Sequence, residues 1–118
     1  MIPVIAIELD RIRHLRLTPN ALADAEKASG LGIIAMVNID RIGFSSLRAL
    51  LWAGLKTEDP ILTIEQVGNF MDIFQERGGT FNDLEKIVLD ALQETGWFPE
   101  IAKYRSLLEA GGEKNPGL

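Results

Sequence analysis

The sequence contains no cysteine and only one histidine. The absence of cysteine excludes disulfide bonds, thiolate catalysis and sulfur-ligated metal ions. The histidine, His14, is predicted to be a surface residue on a strand beside Arg13 and Arg16. Neither a carboxylate that would orient it as a general base nor any other part of a catalytic triad is recognisable. We therefore predict that the protein is not an enzyme.

Long apolar runs are also missing. The run over residues 31–37, which no other run exceeds, has seven residues and includes a glycine, whereas about 20 apolar residues are needed to cross a bilayer. The first residues do not form a basic region followed by an apolar segment and a small-residue cleavage site, so no signal peptide is predicted. Together with the lack of cysteine, these features lead us to expect a cytoplasmic protein without a membrane partner.

Metal and phosphate motifs are not recognisable either. The acidic residues have the spacing of solvated helix faces, and none of their groups repeats the spacing of an EF-hand loop. No set of carboxylates and histidine suggests a metal site. Gly30-Leu31-Gly32 lacks the third glycine and the preceding strand of a dinucleotide-binding fingerprint. We predict neither a metal ion nor a cofactor.

The net charge of −5 and the pI near 4.8 disfavour binding to nucleic acid, because an acidic surface repels the phosphate backbone. The charge is unevenly distributed. Arg11, Arg13 and Arg16 outnumber Asp10 within residues 10–16, so this short segment is basic. These arginines form either a solvated face or a docking edge. A basic edge on an acidic body favours binding to another protein.

Length and pattern predict a single domain of the α+β class that is mainly helical. A chain of 118 residues fits one domain, which we place over residues 1–110, followed by a flexible tail over 111–118. An N-terminal β-hairpin is predicted over residues 4–17, packed on a bundle of five or six short helices. The helices are predicted at about 19–28, 31–39, 45–56, 63–77, 82–95 and 100–110. The second of these segments also suits a buried strand.

The register of the hairpin follows from its apolar residues. A three-residue connection, Asp10-Arg11-Ile12, would pair Ile5 with Leu17 and Ile7 with Leu15 on one face. A two-residue connection would pair apolar with polar residues. We therefore predict the three-residue connection and expect the apolar face of the hairpin to lie on the helices.

Three helix starts are marked by candidate capping residues. Thr18 is predicted to cap the first helix, with Pro19 at the first helical position. Ser45 is a candidate N-cap for the third helix. Thr63 and Gln66 have the spacing of a capping box at the start of the fourth helix.

Two tryptophans are candidates for different roles. Trp52 lies in the apolar stripe of the third helix and is predicted to pack in the core. Trp97 and Phe98 lie in a joint between two helices. They belong either to the core or, where exposed, to a partner-binding surface, since large aromatic side chains dominate interface energetics.

Several short segments over roughly residues 4–95 keep an order and spacing shared with a known family. They are Leu9-Asp10-Arg11, Leu15-Arg16-Leu17-Thr18, Ala21-Leu22, Glu26, Leu47-Arg48-Ala49-Leu50-Leu51-Trp52-Ala53-Gly54-Leu55 and Leu62-Thr63-Ile64-Glu65-Gln66-Val67-Gly68. In this order the segments resemble the tail assembly chaperone family of long-tailed phages and gene transfer agents.

The resemblance implies a cytoplasmic assembly factor of the bacterial host cell that is absent from the finished particle. Such proteins bind the tape measure protein, keep its apolar helical surface from aggregating, and promote assembly of the tail tube around it. We expect the tape measure protein to be the main partner and the tail tube protein to be a further candidate, and self-association stays open. Our hypothesis for the partner-binding residues names Trp97, Phe98, Arg11, Arg13 and Arg16.

Two other classes of function stay open. The chain could be a structural component of the tail or of the head–tail junction, which its presence in purified particles would indicate. It could also be a small regulator that binds nucleic acid. Its acidity disfavours this third class, and retention on duplex DNA at moderate salt would be the test.

Overall fold

The structure, a computed structural model, describes residues 3–37 and 42–101. It confirms an α+β fold that is mainly helical. The described residues form two strands, β1 (Ile5–Glu8) and β2 (Ile12–Leu15), followed by α1 (Pro19–Ser29), α2 (Ile33–Val37), α3 (Phe44–Leu55), α4 (Ile64–Glu76) and α5 (Phe81–Glu94). A further helical segment covers residues 99–101.

Parts of the sequence prediction lie outside the described residues. These parts are the end of the predicted second helix, most of the predicted helix over 100–110 and the predicted tail over 111–118. At residues 33–37 the chain forms a helix and not the alternative strand. The Ile33 backbone N–H donates to the Glu26 carboxylate at 2.8 Å, and this bond satisfies one of the unpaired amides at the start of α2.

The hairpin has a different register from the predicted one. Ile5 pairs with Leu15 and Ile7 pairs with Arg13, so the predicted partners were wrong by two positions. The connection does have three residues, but they begin at Leu9. Leu9 lies outside the strand with its side chain buried in the core, and its N–H donates to the Arg11 carbonyl within the connection at 3.0 Å. A shift of two residues keeps every side chain on its predicted face.

Capping residues mark most helix starts, as the sequence predicts. The Thr18 hydroxyl accepts from the Ala21 backbone N–H at 3.1 Å, and Pro19 is the first residue of α1. Thr63 and Gln66 form the predicted capping box of α4, with both reciprocal bonds present.

Several helix starts differ from the prediction by one or two residues; α2, for example, begins at Ile33 and not at residue 31. Ser45 does not cap α3, because that helix already begins at Phe44 and its N-cap is Gly43, which offers no side chain. A second capping box, made by Thr80 and Asp83, starts α5 at Phe81 and one residue before the predicted start. The sequence pattern concealed this box because its third helical residue is aspartate and not glutamate or glutamine.

The hairpin is fixed directly to α3. The Arg16 backbone N–H donates to the Gly54 carbonyl at 3.1 Å. A side chain at Gly54 would overlap Leu15. The largest fully buried side chains of the described residues form the core: Leu9, Leu15, Leu17, Met36, Leu47, Leu50, Leu51, Leu55, Val67, Val88, Leu92 and Ile101. Across residues 3–37 and 42–101, every helix is too short or too polar to span a membrane.

Candidate protein-binding surfaces

Arg13 is buried, with only 6% of its surface exposed. Its guanidinium donates to both carboxylate oxygens of Asp10, at 2.6 and 2.9 Å, and to Asp59 at 3.4 Å. Its Cζ lies 4.3 Å from the centre of the Phe70 ring. The prediction that Arg13 lies on a solvated or docking edge is therefore wrong. The residue shares a strand face with Leu15, so the pleat turns it towards the helices.

The contact between Arg13 and Asp10 affects both ionisation equilibria. The hydrogen bond and the charge of Arg13 hold the pKa of Asp10 below its usual value of 3.8, against the opposing effect of burial. The same hydrogen bond raises the pKa of Arg13. Both side chains are therefore ionised at neutral pH, and their ion pair has a structural role.

The other two arginines of the segment do not share one surface with Arg13. Arg11 is exposed at the hairpin turn. Arg16 is half-buried, and its Nε is enclosed without a hydrogen-bond acceptor among the described residues. The predicted basic edge is therefore reduced to Arg11 and the outer part of Arg16.

His14 is exposed, as predicted, but it has a carboxylate partner that the sequence pattern did not indicate. Its Nδ1 lies 2.7 Å from Glu58 Oε2. Glu58 lies just after the end of α3, 44 residues further along the chain than His14. Sequence spacing carries no signal for a contact that only the packing of the hairpin on α3 creates. Within the described part of the chain, no group of three or more His, Asp or Glu residues lies close enough to hold a metal ion.

Trp97 and Phe98 have different environments. Trp97 is 63% exposed, and its backbone N–H donates to the Thr95 hydroxyl at 3.2 Å. Phe98 is partly buried and packs against the core. Of these two predicted partner-binding residues, only Trp97 presents its ring to solvent, while Phe98 supports the fold.

Trp52 packs against the core, as predicted, although part of its surface stays exposed. Its Nε1–H donates to the Leu62 carbonyl at 2.9 Å, and the Lys56 ammonium lies 4.4 Å from the ring centre. These contacts fix the loop between α3 and α4 to α3, so Trp52 has a structural role.

A groove of about 550 Å³ runs between α3 and α4. This α3–α4 groove is lined by Phe44, Ser45, Arg48, Gly68, Met71, Asp72 and Gln75. Phe44 is 67% exposed, and its ring centre lies 4.8 Å from that of Phe81 on α5. Aromatic contact with Phe81 holds Phe44 at the groove without burying it.

The sequence pattern does not indicate this groove. Phe44 belongs to the helix whose start was misplaced, so its exposure was not considered. One signal was present: Gly68 lies inside α4, and a glycine inside a helix needs a reason other than helix formation.

No protein-family model, curated protein or solved structure matches the chain. The resemblance to tail assembly chaperones therefore rests on the sequence segments named above, and the surfaces described here are the structural basis for a functional proposal.

Proposed function

We propose that the chain is a tail assembly chaperone of a phage or gene transfer agent. It binds the tape measure protein in the cytoplasm of the bacterial host, keeps it soluble and promotes assembly of the tail tube around it. The tail tube protein is a second partner in this proposal. The chain acts by binding alone, without catalysis or a cofactor.

The observation that supports this proposal is the exposure of two aromatic side chains, Phe44 at 67% and Trp97 at 63%. Exposed aromatic residues are typical anchors of protein–protein interfaces, because they bury a large apolar area when a partner binds. Both belong to a small domain with a well-closed core, so their exposure is not a sign of incomplete folding.

The charge of the chain suits the same role. A net charge of −5 on 118 residues would keep a complex with an aggregation-prone helical protein dispersed in solution, since like-charged complexes repel one another. The burial of Arg13 between Asp10 and Asp59 removes one cation from the predicted basic edge. Binding to nucleic acid is correspondingly less favoured.

Co-purification with the tape measure protein encoded in the same operon tests the proposal. The wild-type chain should capture the tape measure protein, and Phe44→Ser with Trp97→Ser should reduce capture. Ile61→Ser is the matched control, because Ile61 is the most exposed large apolar residue of the described part, at 87%, and does not line the α3–α4 groove. Absence of capture by the wild-type chain would contradict the proposal.

Phe98 should not be replaced in this experiment. Because Phe98 packs against the core, its removal would reduce the stability of the fold as well as any contact with a partner. Trp97→Ser alone separates the two effects.

A further inference from the structure

We propose that the α3–α4 groove binds an amphipathic helix of the partner, through an apolar side chain beside Phe44 and a carboxylate that pairs with Arg48. The inference rests on the proposed function and names the surface and the chemistry by which the tape measure protein is recognised. It replaces the predicted basic edge of the hairpin as the main docking surface.

Arg48 lacks a partner within the described residues. Its Nε is enclosed and has no hydrogen-bond acceptor there, and the guanidinium forms no ion pair with Asp72 although both residues line the groove. Arg13, by contrast, has two aspartate partners. A terminal nitrogen of Arg48 lies beside Gly68 in the groove lining, because Nη1 would be 3.8 Å from a Cβ at that position. A carboxylate from a docked helix would accept from the terminal nitrogens of Arg48, in a charge-assisted contact of the kind that arginine favours.

Gly68 keeps space free beside Arg48. A Cβ at this position would lie 3.6 Å from Arg48 Cδ, an ordinary van der Waals contact, so the fold itself does not require glycine here. Glycine inside a helix is less stable than alanine. Because Gly68 has no side chain, the groove stays open beside Arg48, and a side chain of the partner can enter it there.

The shape of the groove indicates a helix as the occupant. Gly68, Met71, Asp72 and Gln75 follow the spacing i, i+3, i+4 and i+7, so they form one face along α4. Phe44 and Arg48 form the opposite wall, one helical turn apart on α3. A third helix fits between two such walls, with its apolar side chain against Phe44 and Met71.

A partner helix suits the groove better than a second copy of the chain. The apolar stripes of α3, α4 and α5 already pack in the core, so a second copy does not have an unpaired apolar face on these three helices to place in the groove. Two copies that each carry a charge of −5 also repel one another.

A pair of designed helical peptides of about 15 residues tests the charge preference. The peptides share one apolar face and differ only in a glutamate or a lysine four residues from the apolar anchor. Fluorescence anisotropy with the full chain should show that the glutamate peptide binds about tenfold more tightly, a difference of about 1.4 kcal/mol. Arg48→Glu should reverse the preference. Equal affinities, or no saturable binding of either peptide, would overturn the inference.

A steric test uses two leucine substitutions on neighbouring residues of α4. Gly68→Leu fills the groove, and affinity for the glutamate peptide should fall at least about tenfold. Asn69→Leu adds the same side chain at an exposed position outside the lining and should leave the affinity unchanged. Circular dichroism verifies the helicity of both variants. If Gly68→Leu does not fold, the charge reversal by Arg48→Glu decides the question.

Capture of the tape measure protein separates this inference from the proposed function. If the wild-type chain and Gly68→Leu capture it equally well, the groove is not the docking site, while the chaperone function stands. If the wild-type chain does not capture it, the chaperone function fails, and the peptide pair still decides whether the groove binds an acidic amphipathic helix. A wild-type dimer that Gly68→Leu converts to a monomer would overturn the inference in favour of a second copy.

Discussion

Leu15 of β2 lies so close to Gly54 of α3 that a methyl group on the glycine would overlap the leucine side chain. The next residue, Arg16, donates its backbone N–H to the Gly54 carbonyl at 3.1 Å. A strand can contact the backbone of a helix in this way only where no side chain intervenes. This contact fixes the hairpin, and with it the ion pairs of Arg13, to the helical part of the domain.

Gly54→Ala should destabilise the protein, because the new methyl group pushes Leu15 out of the core. The expected loss in the free energy of unfolding is about 1–3 kcal/mol, as for other overpacked sites. Urea denaturation measures it. Gly68→Ala is the matched control, since that glycine has room for a methyl group. It should raise the free energy of unfolding by about 0.5–1 kcal/mol. Equal effects of the two variants would contradict the assigned packing.

Asp10 should make stability depend on pH in the acidic range. Arg13 lowers the pKa of Asp10 below 3.8 in the folded protein. The resulting stabilisation is therefore present above the pKa of the unfolded chain and is lost as the pH falls through the folded pKa. The difference in urea midpoint between the wild type and Asp10→Asn should be constant from neutral pH down to about 5 and shrink below about pH 4. If this difference in urea midpoint grows as the pH falls, the result would contradict the assigned effect of Arg13 on the pKa of Asp10.

Thr80→Ala should remove the side-chain cap of α5. The Thr80 hydroxyl accepts from the Asp83 N–H at 3.2 Å, and the Asp83 carboxylate accepts from the Thr80 N–H at 2.9 Å. The loss of such an N-cap costs about 0.5–2 kcal/mol. Thermal unfolding followed by circular dichroism measures this cost. Ser45→Ala is the matched control, because Ser45 is exposed on α3 and does not cap that helix. It should have a much smaller effect, and an equal effect would show that the capping box does not stabilise α5.

The two tryptophans should differ in their accessibility to a quencher. Trp97 is 63% exposed, whereas Trp52 is packed on the core and hydrogen-bonded to the Leu62 carbonyl. Acrylamide should therefore quench the fluorescence of Trp52→Phe, which retains Trp97, more strongly than that of Trp97→Phe. Similar quenching constants would mean that Trp97 is covered, and it would then no longer be a candidate anchor.

Local chemistry made much of the fold predictable. Thr18 with Pro19, and Thr63 with Gln66, start α1 and α4 as the sequence indicates, because caps act through residues three positions apart. The register of the hairpin was less predictable. Apolar alternation predicts on which face of the hairpin each side chain lies, but it does not determine which residues of the two strands pair. Leu9, which was predicted in the first strand, lies in the connection with its side chain in the core.

The candidate surfaces were predictable only in part. The place of Trp97 in a joint between helices left both core packing and exposure open, and the structure shows that its side chain is exposed. Arg13 lies on the same strand face as Leu15, but its contact with Asp59, 46 residues away, forms only when the hairpin packs on the helical part of the domain. The α3–α4 groove likewise arises from two helices, so no single segment contains its pattern. Contacts between distant segments are the part that spacing along the chain does not encode.

Light scattering of the tape measure protein tests the central claim most directly. Denatured tape measure protein is diluted into buffer that contains the wild-type chain, the double variant Phe44→Ser with Trp97→Ser, or no added protein. The wild-type chain should suppress the scattering at about equimolar ratio, and the double variant should suppress it much less while remaining folded. Scattering that is the same with and without the wild-type chain would contradict the claim that this domain shields the apolar surface of another protein.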